Sequence, residues 1–515
     1  MSRALRLAGV IALLGLGAGV IVAAARQLGD FDLPWHLALG RRAIVEHAVP
    51  FADDFSYTFR GARSGSEVAA DVFLYLLTRV GGPMALQIFA GVVVAALAAL
   101  LVLRARPAPW PIAVGFAALG VTAAGPWFVV RPALFSFVAL AAFLFVIDRH
   151  RRLARGLWWL VPLQIVWSNL HGFAALGPPL AIGYAASLLV TRAPGRARVA
   201  LVAAATLPAS LASPFGLDLY RNALAVHEYA RFITEWTPTT PSLLLHDLPL
   251  VLLGLLTLAG FLLRRPTLFD VALVAGALVF GALAIRLLPL TAIVLAPIAA
   301  RQLAPLLERA RAAPLLVAAL GLATAPALAP TGFQYGAGFD RGNLPDGATR
   351  FLAASRPAGA MWNFLPFGGW LVWQRYPDVR VFIDGRTNRV FPPAFIERYA
   401  RSEHDAGVFA ALATEYDFQW AVVRARPGEH FSEPIARDPR WTMVYLDDCA
   451  AVYVRKDGPN HALAERGYLL LRHLTTPPAG PVAPKLQLAL RHDAALALAQ
   501  DPRSPRARAL VEAAR

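Results

Sequence analysis

The chain has 515 residues, of which 57% are hydrophobic and only 16% are charged, and its net charge is +16. Soluble proteins carry about a quarter charged residues, so the composition excludes an ordinary soluble globular protein. The single cysteine, Cys449, excludes an intrachain disulfide and a cysteine-based metal cluster. Many arginines lie between apolar blocks, and this placement argues against nucleic acid as the partner.

Apolar blocks of roughly the 20 residues that cross a bilayer recur through the first two thirds of the chain. We interpret the first block, which follows Arg3 and Arg6, as a retained span and not as a cleaved signal peptide, because it is long and more spans follow. The predicted spans are 7–25, 84–103, 110–129, 133–147, 157–170, 173–190, 199–213, 248–263, 268–285, 287–303 and 313–330.

Arginines in the short loops predict the orientation of these spans. With the N-terminus in the cytoplasm, the short loops on the other side carry only Arg131, Asn169 with His171, and Arg286. The cytoplasmic loops then carry Arg104, Arg106, Arg149, Arg151, Arg152, Arg155, Arg192, Arg196, Arg198, Arg264, Arg265, Arg301, Arg309 and Arg311. An odd number of spans places the C-terminal domain outside the cytoplasm. For a bacterium, this predicts a multi-pass inner-membrane protein whose C-terminal domain is periplasmic or extracellular.

The chain divides into three predicted regions. Residues 1–330 form a transmembrane domain with outer loops at 26–83 and 214–247, and the first loop contains amphipathic helices at 35–47 and 67–80. Residues 331–457 form a soluble α/β domain, and 458–515 form a helical tail with one unit, 491–514, that resembles a helical repeat. In the α/β domain we predict strands at 371–373, 379–384, 420–423, 443–446 and 451–454, and helices at 346–354 and 394–401.

Two carboxylates, Asp30 and Asp32, follow directly after the first predicted span, at the boundary between membrane and water. A carboxylate there can take a proton from an acceptor hydroxyl, or hold a divalent cation beside a phosphate. The alternative is that both acids only cap the helix that follows them. Spacing alone leaves the two interpretations open.

The layout of the spans and this motif resemble the GT-C superfamily of polytopic glycosyltransferases, which use polyprenyl-phosphate sugar donors. Their first outer loop often carries an Asp followed by Glu, then an aromatic residue and a His. Asp32, Trp35 and His36 match this motif, whereas Leu33 stands at the Glu position. A group of uncharacterised GT-C-like bacterial proteins is more similar, over about residues 30–457, although it usually has Trp where this chain has Val68. The matching segments are 32–40, 50–58, Glu67, 131–136, 168–172, 213–216, Glu235-Trp236, 286–289 and 381–386.

The resemblance implies a polytopic α-helical GT-C-like membrane protein of about 11 spans with a C-terminal soluble α/β domain and a short helical tail. It implies an inverting glycosyltransferase that uses a polyprenyl-phosphate-linked sugar and an envelope glycan, lipid or protein acceptor, in contact with membrane lipids and not with nucleic acid. Asp32 would be the general base, supported by Asp30 and Glu67, and His36 would bind substrate. The motifs establish no cofactor, and a divalent cation (Mg²⁺ or Mn²⁺) on Asp30 and Asp32 is left open. The alternative is a non-catalytic protein on the same scaffold that assists envelope assembly.

Other polar residues lie at the predicted outer ends of spans. A charge at membrane depth costs at least ~2.5 kcal/mol and tends to face a cavity. Because guanidinium binds phosphate in a bidentate manner, Arg131 and Arg286 are candidates for the lipid phosphate; the alternative is that they extend to headgroups. Glu235 and Trp236 are candidates for the same cavity, or Trp236 only anchors the loop. His171 either transfers protons or bonds a neighbouring carbonyl. Asp384-Gly385-Arg386 is interpreted as a turn with a local ion pair.

Overall fold

The computed structural model describes residues 1–64, 67–330, 332–426, 433–471 and 484–514. The strands are β1 Ala360–Asn363, β2 Phe418–Arg424, β3 Trp441–Leu446 and β4 Ala450–Arg455. The helices are α1 Arg3–Ala24, α2 Leu33–Glu46, α3 Val68–Arg104, α4 Trp110–Ala124, α5 Ala133–Leu153, α6 Leu160–Leu170, α7 Gly177–Val190, α8 Arg196–Ser210, α9 Asp218–Tyr229, α10 Pro241–His246, α11 Leu248–Leu263, α12 Leu268–Leu283, α13 Leu288–Leu307, α14 Ala313–Ala327, α15 Asp346–Ser355, α16 Leu365–Arg375, α17 Thr387–Val390, α18 Pro393–Ser402, α19 Ala406–Glu415, α20 Glu433–Arg437, α21 His461–Ala464, α22 Pro484–Gln500 and α23 Pro505–Ala513.

The chain folds into two compact units. Residues 1–28 and 66–338 form the first, which we call the helical unit, and residues 29–65 and 339–515 form the second, which we call the mixed unit. The sequence assigned the whole outer loop 26–83 to the transmembrane domain. The structure instead groups most of that loop with the C-terminal residues.

The helical unit contains a helix at each of the predicted spans. Of the described helices, six are long and apolar enough to cross a membrane: Arg3–Ala24, Val68–Arg104, Trp110–Trp127, Ala133–Leu153, Gly172–Val190 and Ile285–Leu307. Helices α11, α12 and α14 are apolar but shorter. The predicted amphipathic helix 67–80 joins the span 84–103 in α3, which is interrupted at Gly81 and Gly82. Gly82 has φ +60°, a conformation that glycine adopts without steric cost.

The first helix is an integral part of the helical unit. A side chain added to Gly15 of α1 would overlap the carbonyl of Gly321 in α14, so the two backbones are in contact. Small residues permit this close approach between apolar helices. Beyond α1, Arg26 donates hydrogen bonds to the carbonyls of Gly125 (2.8 Å) and Leu328 (2.6 Å), which lie just after α4 and α14. Helix α1 therefore packs directly against α14 in the helical unit.

A group of five charges, three of them buried and two half-buried, joins four helices of the helical unit, and we call it the five-residue cluster. Arg104 at the end of α3 contacts Asp148 of α5 at 3.1 Å. Arg151 of α5 contacts Asp270 of α12 at 2.9 Å. Arg301 of α13 contacts both acids, at 3.3 and 3.2 Å. Because Arg104, Arg151 and Arg301 were all assigned to the cytoplasmic side, the cluster shows that this set of loops meets at one end of the unit.

The mixed unit is built on a four-stranded sheet with the order β1-β2-β4-β3, in which β1 and β2 are parallel and the other pairs are antiparallel. The structure confirms the predicted strands at 420–423, 443–446 and 451–454, and the two predicted helices as α15 and α18. The predicted strand at 371–373 is wrong, since these residues lie in α16. Phe367, Trp370 and Leu371 are buried at helical spacing, a periodicity that a three-residue apolar run does not show.

The segment 379–384, also predicted as a strand, is not one in the structure: among the described residues it forms only an isolated bridge, between Val381 and Ser56. Strand β1 was not predicted. Four residues with a mixed pattern gave no alternation to detect, and their strand conformation comes from pairing with β2, far along the chain.

A fully buried arginine holds the first-loop segment in the mixed unit. Arg386 donates to Asp384 at 2.9 and 2.6 Å, to Asp53 at 2.7 Å and to Ser64 at 3.0 Å. Asp53 also accepts from the backbone N–H of Phe55 at 2.9 Å. The predicted local ion pair between Asp384 and Arg386 is therefore present, and Arg386 also pairs with a second acid, Asp53, from a distant part of the chain. Removing one partner of such a buried pair costs about 3–5 kcal/mol. The bonds of Arg386 are among those that join 29–65 to the C-terminal residues.

The predicted helical tail is present as α22 and α23, and residues 472–483 lie outside the described residues. Gln500 of α22 donates to the carbonyl of Val444 (2.7 Å) and accepts from the N–H of Leu446 (3.1 Å), both on β3. Asp493 accepts from three consecutive backbone N–H groups, 469–471, each at 2.8 Å. The helix pair that resembled a repeat unit therefore packs against the sheet.

Candidate functional site

Three charged side chains meet at one end of the helical unit, and we call them the three-residue cluster. Arg131 lies just before α5, Arg286 just before α13, and Glu235 in a short turn at 234–236. One guanidinium nitrogen of Arg131 donates to both carboxylate oxygens of Glu235, at 3.0 and 3.3 Å. Arg286 donates to Glu235 Oε2 at 2.7 Å. Residues separated by 155 positions in sequence thus converge on one carboxylate.

The charges of this cluster differ in their exposure. The side chain of Arg131 is 6% exposed, that of Arg286 18% and that of Glu235 33%. Burial would raise the pKa of Glu235, but Arg286 and Arg131 outweigh it, and the net effect is a lowered pKa. The carboxylate is therefore ionised at neutral pH, and the cluster has a surplus of one positive charge.

The turn that carries Glu235 is fixed beside Arg286. The guanidinium of Arg286 lies 5.4 Å from the ring centroid of Trp236. Ile285 donates its backbone N–H to the carbonyl of Thr237 at 3.1 Å, and Thr239 donates to the carbonyl of Ala282 at 3.1 Å. Trp236 thus contacts the arginine, in addition to any role at the membrane interface.

A second polar group in the helical unit contains Glu67 and His171. Glu67 lies at the start of α3 and is 2% exposed; His171 follows α6 and is 7% exposed. Glu67 Oε1 lies 4.0 Å from His171 Nε2 and accepts a hydrogen bond from the backbone N–H of Gly172 at 3.4 Å. On its other side, His171 Nδ1 lies 2.8 Å from Ser136 Oγ. The structure therefore brings together a carboxylate and an imidazole that are far apart in sequence.

In the mixed unit, Asp30 and Asp32 precede α2 and have different roles. Asp30 Oδ1 accepts from the backbone N–H groups of Asp32 (2.9 Å) and Leu33 (3.2 Å), which is the capping alternative. The side chain of Asp32 makes no capping bond, and its Oδ1 accepts from Trp35 Nε1 at 3.1 Å. His36 is buried beside Trp35, with 3.5 Å between the ring centroids. The motif residues Asp32, Trp35 and His36 thus form one local group.

Two glycines let other parts of the mixed unit approach this group. A Cβ at Gly385 would lie only 2.5 Å from Asp32 Oδ1 and 3.0 Å from Trp35 Nε1. A Cβ at Gly369 would lie 2.9 Å from the carbonyl of Phe31. Gly369 thus permits the close packing of α16 against the start of α2. The guanidinium of Arg389, which the sequence did not single out, lies 5.5 Å from the Trp35 ring.

Comparison with solved structures shows which known fold the chain has. No family model matches the chain, and no curated protein matches it. Oligosaccharyltransferase AglB from Archaeoglobus fulgidus, solved with an inhibitory peptide and a dolichol-phosphate, is similar with a TM-score of 0.58 at 13% identity, over 80% of this chain and 69% of that chain. Its apo form gives 0.54 at 13% identity, over 87% and 75%. ArnT from Cupriavidus metallidurans, bound to undecaprenyl phosphate, gives 0.51 at 12% identity, over 86% and 97%. The chain has the GT-C fold.

The GT-C fold and the apolar helices together make this a multi-pass membrane protein. The resemblance seen in the sequence is thereby confirmed as to fold. Identities of 12–13% are too low to carry over any residue's role. The roles of the candidate site residues therefore stay predictions, namely those of Asp32, Asp30, Glu67, His36, Arg131, His171, Glu235 and Arg286.

The described residues of this chain do not by themselves supply a complete set of ligands for a divalent cation. Among the described residues, no three His, Cys, Asp or Glu side chains are grouped for metal binding. Asp30 and Asp32 offer two carboxylates, and one oxygen of Asp30 already caps α2. Divalent cations such as Mg²⁺ and Ca²⁺ take six or more oxygen ligands. The chemistry proposed below uses no cation.

Proposed function

We propose that this protein is a membrane glycosyltransferase that moves a sugar from a polyprenyl-phosphate carrier to a cell-envelope acceptor. The observation that carries the proposal is the convergence of Arg131 and Arg286 on one carboxylate in a GT-C fold. Two solved proteins of this fold were captured with polyprenyl phosphates, dolichol-phosphate in one and undecaprenyl phosphate in the other.

The arginines would bind the phosphate that leaves the sugar. The carboxylate of Glu235 already receives hydrogen bonds from both guanidinium groups, at 2.7–3.3 Å, and a phosphate oxygen accepts the same kind of bond. As the bond between the anomeric carbon and the phosphate oxygen breaks, negative charge develops on that oxygen. Cationic donors fixed in advance stabilise this charge without reorganisation. Arg131 and Arg286 are thus suited to a lipid-phosphate leaving group.

Asp32 would be the general base. The acceptor hydroxyl gives its proton to the Asp32 carboxylate while its oxygen bonds to the anomeric carbon, and the lipid phosphate departs with the bonding electrons. This single displacement inverts the anomeric carbon. Trp35 Nε1 donates to Asp32 Oδ1 at 3.1 Å and so orients the carboxylate that would take the proton. Asp30 supports the base by fixing the start of α2, His36 would contact substrate, and Glu67 would supply the second carboxylate.

The cellular setting follows from the arginine pattern. The three-residue and five-residue clusters lie at opposite ends of α5, and the five-residue cluster contains arginines assigned to the cytoplasmic side. The three-residue cluster would then face the periplasm. The donor would therefore be a polyprenyl-phosphate-linked sugar in the outer leaflet of a bacterial inner membrane, and the acceptor an envelope glycan, lipid or protein.

The test compares Asp32→Asn with Asp378→Asn, an exposed acid of the same unit, in membranes supplied with lipid-linked sugars. Loss of a general base typically lowers the rate by about 10²–10⁴-fold. We expect that loss for Asp32→Asn, with normal membrane levels, and none for Asp378→Asn. Transfer at the wild-type rate by Asp32→Asn would remove this residue as the base. Unchanged glycans and lipid intermediates in a deletion strain would contradict glycosyl transfer itself.

One alternative is supported by particular residues. Leu33 stands where the GT-C motif often has an acid, and Asp30 caps α2. These features favour a non-catalytic protein that assists envelope glycan or lipid assembly. Purified protein that binds undecaprenyl phosphate but transfers no sugar from any donor in a lipid-linked library would support this alternative.

A further inference from the structure

A chain of hydrogen bonds leads to His171 from the side opposite Glu67. The indole N–H of Trp167 donates to Ser136 Oγ at 2.8 Å, and Ser136 Oγ lies 2.8 Å from His171 Nδ1. The backbone N–H of Phe173 also points to Nδ1, at 3.3 Å. Trp167 and Ser136 are fully buried, at 0% exposure. Water therefore does not compete for these hydrogen bonds.

The chemistry of the donors fixes the position of the proton on the imidazole. An indole N–H can only donate, and so can a backbone N–H. The Phe173 N–H, at 3.3 Å, favours a lone pair on Nδ1, and the shorter bond to Ser136, at 2.8 Å, is the one that fixes it. Ser136 accepts from Trp167 and donates its own O–H to Nδ1. In a neutral imidazole the proton is then on Nε2, because the hydrogen bond at one ring nitrogen sets the state of the other.

Nε2 is the ring nitrogen that faces Glu67. The distance from Nε2 to Glu67 Oε1 is 4.0 Å, and Gly172 donates to the same oxygen from the next residue. A proton on Nε2 turns the positive end of the N–H dipole towards the carboxylate. A proton on Nδ1 would turn a lone pair towards it, which repels the negative charge. The tautomer thus decides whether the imidazole attracts or repels Glu67.

We propose that Ser136 and Trp167 are positioning residues: they fix His171 as the Nε2–H tautomer and so hold the Glu67 carboxylate in place for the reaction. This inference rests on the proposed glycosyl transfer, in which Glu67 is the second carboxylate. It also gives one physical reason for three separate motif segments, 131–136, 168–172 and Glu67, to meet in the helical unit.

The first experiment measures the tautomer directly and needs no activity. Full-length protein labelled with ¹⁵N-histidine is studied by solid-state NMR in lipid, and the His171 signals are assigned by their loss in His171→Gln. We expect a protonated Nε2 and an unprotonated Nδ1 in the wild type. Ser136→Ala should produce a mixture of tautomers, and Ser136→Thr, which keeps the hydroxyl, should restore the wild-type spectrum. Ser187→Ala is the matched control, since Ser187 is a buried helical serine whose hydroxyl donates to the carbonyl of Tyr184 in its own helix, 2.7 Å away.

The second experiment measures transfer kinetics in the same variants. Loss of a hydrogen-bond partner that orients a metal-binding histidine typically costs about 10–100-fold, and we expect a loss of the same order for His171. We expect Ser136→Ala and Trp167→Phe to lower kcat by that factor with little change in the KM for the lipid-linked donor. Ser136→Thr should recover most of the rate, and Ser187→Ala should retain it.

The outcomes separate the two proposals. A protonated Nδ1 in the wild type, or a Ser136→Ala variant with the wild-type tautomer and kcat, would overturn this inference. An Nε2–H tautomer in a protein that transfers no sugar would overturn the proposed function instead. Equal losses of kcat in Ser136→Ala and Ser136→Thr, with equally lowered melting temperatures, would reduce Ser136 to a packing role and also overturn the inference.

Discussion

The two charged clusters of the helical unit lie at opposite ends of the same helices. They differ in whether their acidic residues lie within helices or on a turn. In the five-residue cluster, Asp148 lies within α5 and Asp270 within α12, and their side chains are only 7% and 6% exposed. In the three-residue cluster, Glu235 lies on a three-residue turn between helices and is 33% exposed. Both clusters place guanidinium groups about 3 Å from carboxylates, so distance alone does not separate a structural role from a functional one.

The remaining hydrogen bonds of the arginines add to this difference. Arg104 donates to the carbonyl of Ile293 at 2.7 Å, and Arg301 donates to the carbonyl of Arg104 at 2.8 Å. These bonds connect helix backbones to one another, so a ligand could not replace the acids without disturbing the helices. Arg131 and Arg286 donate instead to the side chain of Glu235, which lies on a turn. Charges carried by a turn can be exchanged for those of a ligand while the helices stay in place.

The largest expected effect is at Asp148. Asp148→Asn leaves Arg104, whose side chain is 1% exposed, without its paired charge, and an uncompensated buried charge costs about 3–5 kcal/mol. We therefore expect little folded protein in the membrane and a lowered melting temperature in detergent. Glu235→Gln is the matched change in the other cluster, and it should leave membrane levels near those of the wild type. Similar losses of folded protein in both variants would contradict the distinction between the clusters.

A smaller effect is expected from replacing one arginine of each cluster with lysine. Arg301 and Arg286 are similarly exposed, at 16% and 18%, so the two substitutions are well matched. Lysine keeps the charge but loses the planar fork of donors. Arg301→Lys should lower the melting temperature and leave transfer per folded molecule unchanged. Arg286→Lys should raise the KM for the lipid-linked donor several-fold and leave the melting temperature unchanged. The reverse pattern would show that the functional site lies at the other end of the unit.

The membrane architecture could be read from the sequence because it depends on local composition. Blocks of apolar residues and arginines in alternate loops predicted the helix positions, and the arginines assigned to one side do meet in the five-residue cluster. The strands of the sheet were harder to predict from the sequence. Helix α16 was taken for a strand because its apolar triplet is too short to show a period, and β1 depends on a partner more than fifty residues away.

The contacts within the candidate site were even harder to predict from the sequence than the strands. The sequence singled out Arg131, Glu235 and Arg286 separately. Nothing local in the sequence shows that both arginines would donate to the carboxylate of Glu235. Ser136 and Trp167 were not singled out, since a buried serine and a buried tryptophan look like packing residues. The available signal was the position of Ser136 in the segment 131–136 and of Trp167 directly before the segment 168–172, both of which were recognised for their resemblance. Chemistry that depends on contacts between distant segments requires the fold.

The smallest expected effect concerns pH and separates Glu235 from the ligand as the titrating group. Burial favours the neutral acid, but Arg286 and Arg131 outweigh it and lower the pKa of Glu235 below its usual value. For a carboxyl with a lowered pKa, the stabilising interaction is fully present above the ordinary pKa near 4.5 and is lost only as the pH falls through the lower value. Glu235 therefore stays ionised between pH 5.5 and 8.

A phosphate monoester, by contrast, gains its second charge near a pKa of about 6. Affinity for undecaprenyl phosphate should therefore rise several-fold from pH 5.5 to 8, by the same factor in the wild type and in Glu235→Gln, as measured by titration calorimetry in detergent. If the pH dependence were abolished in Glu235→Gln, Glu235 would be titrating in this range. The arginines would then not be holding its charge, and the three-residue cluster would lose the feature that makes it a ready anion site.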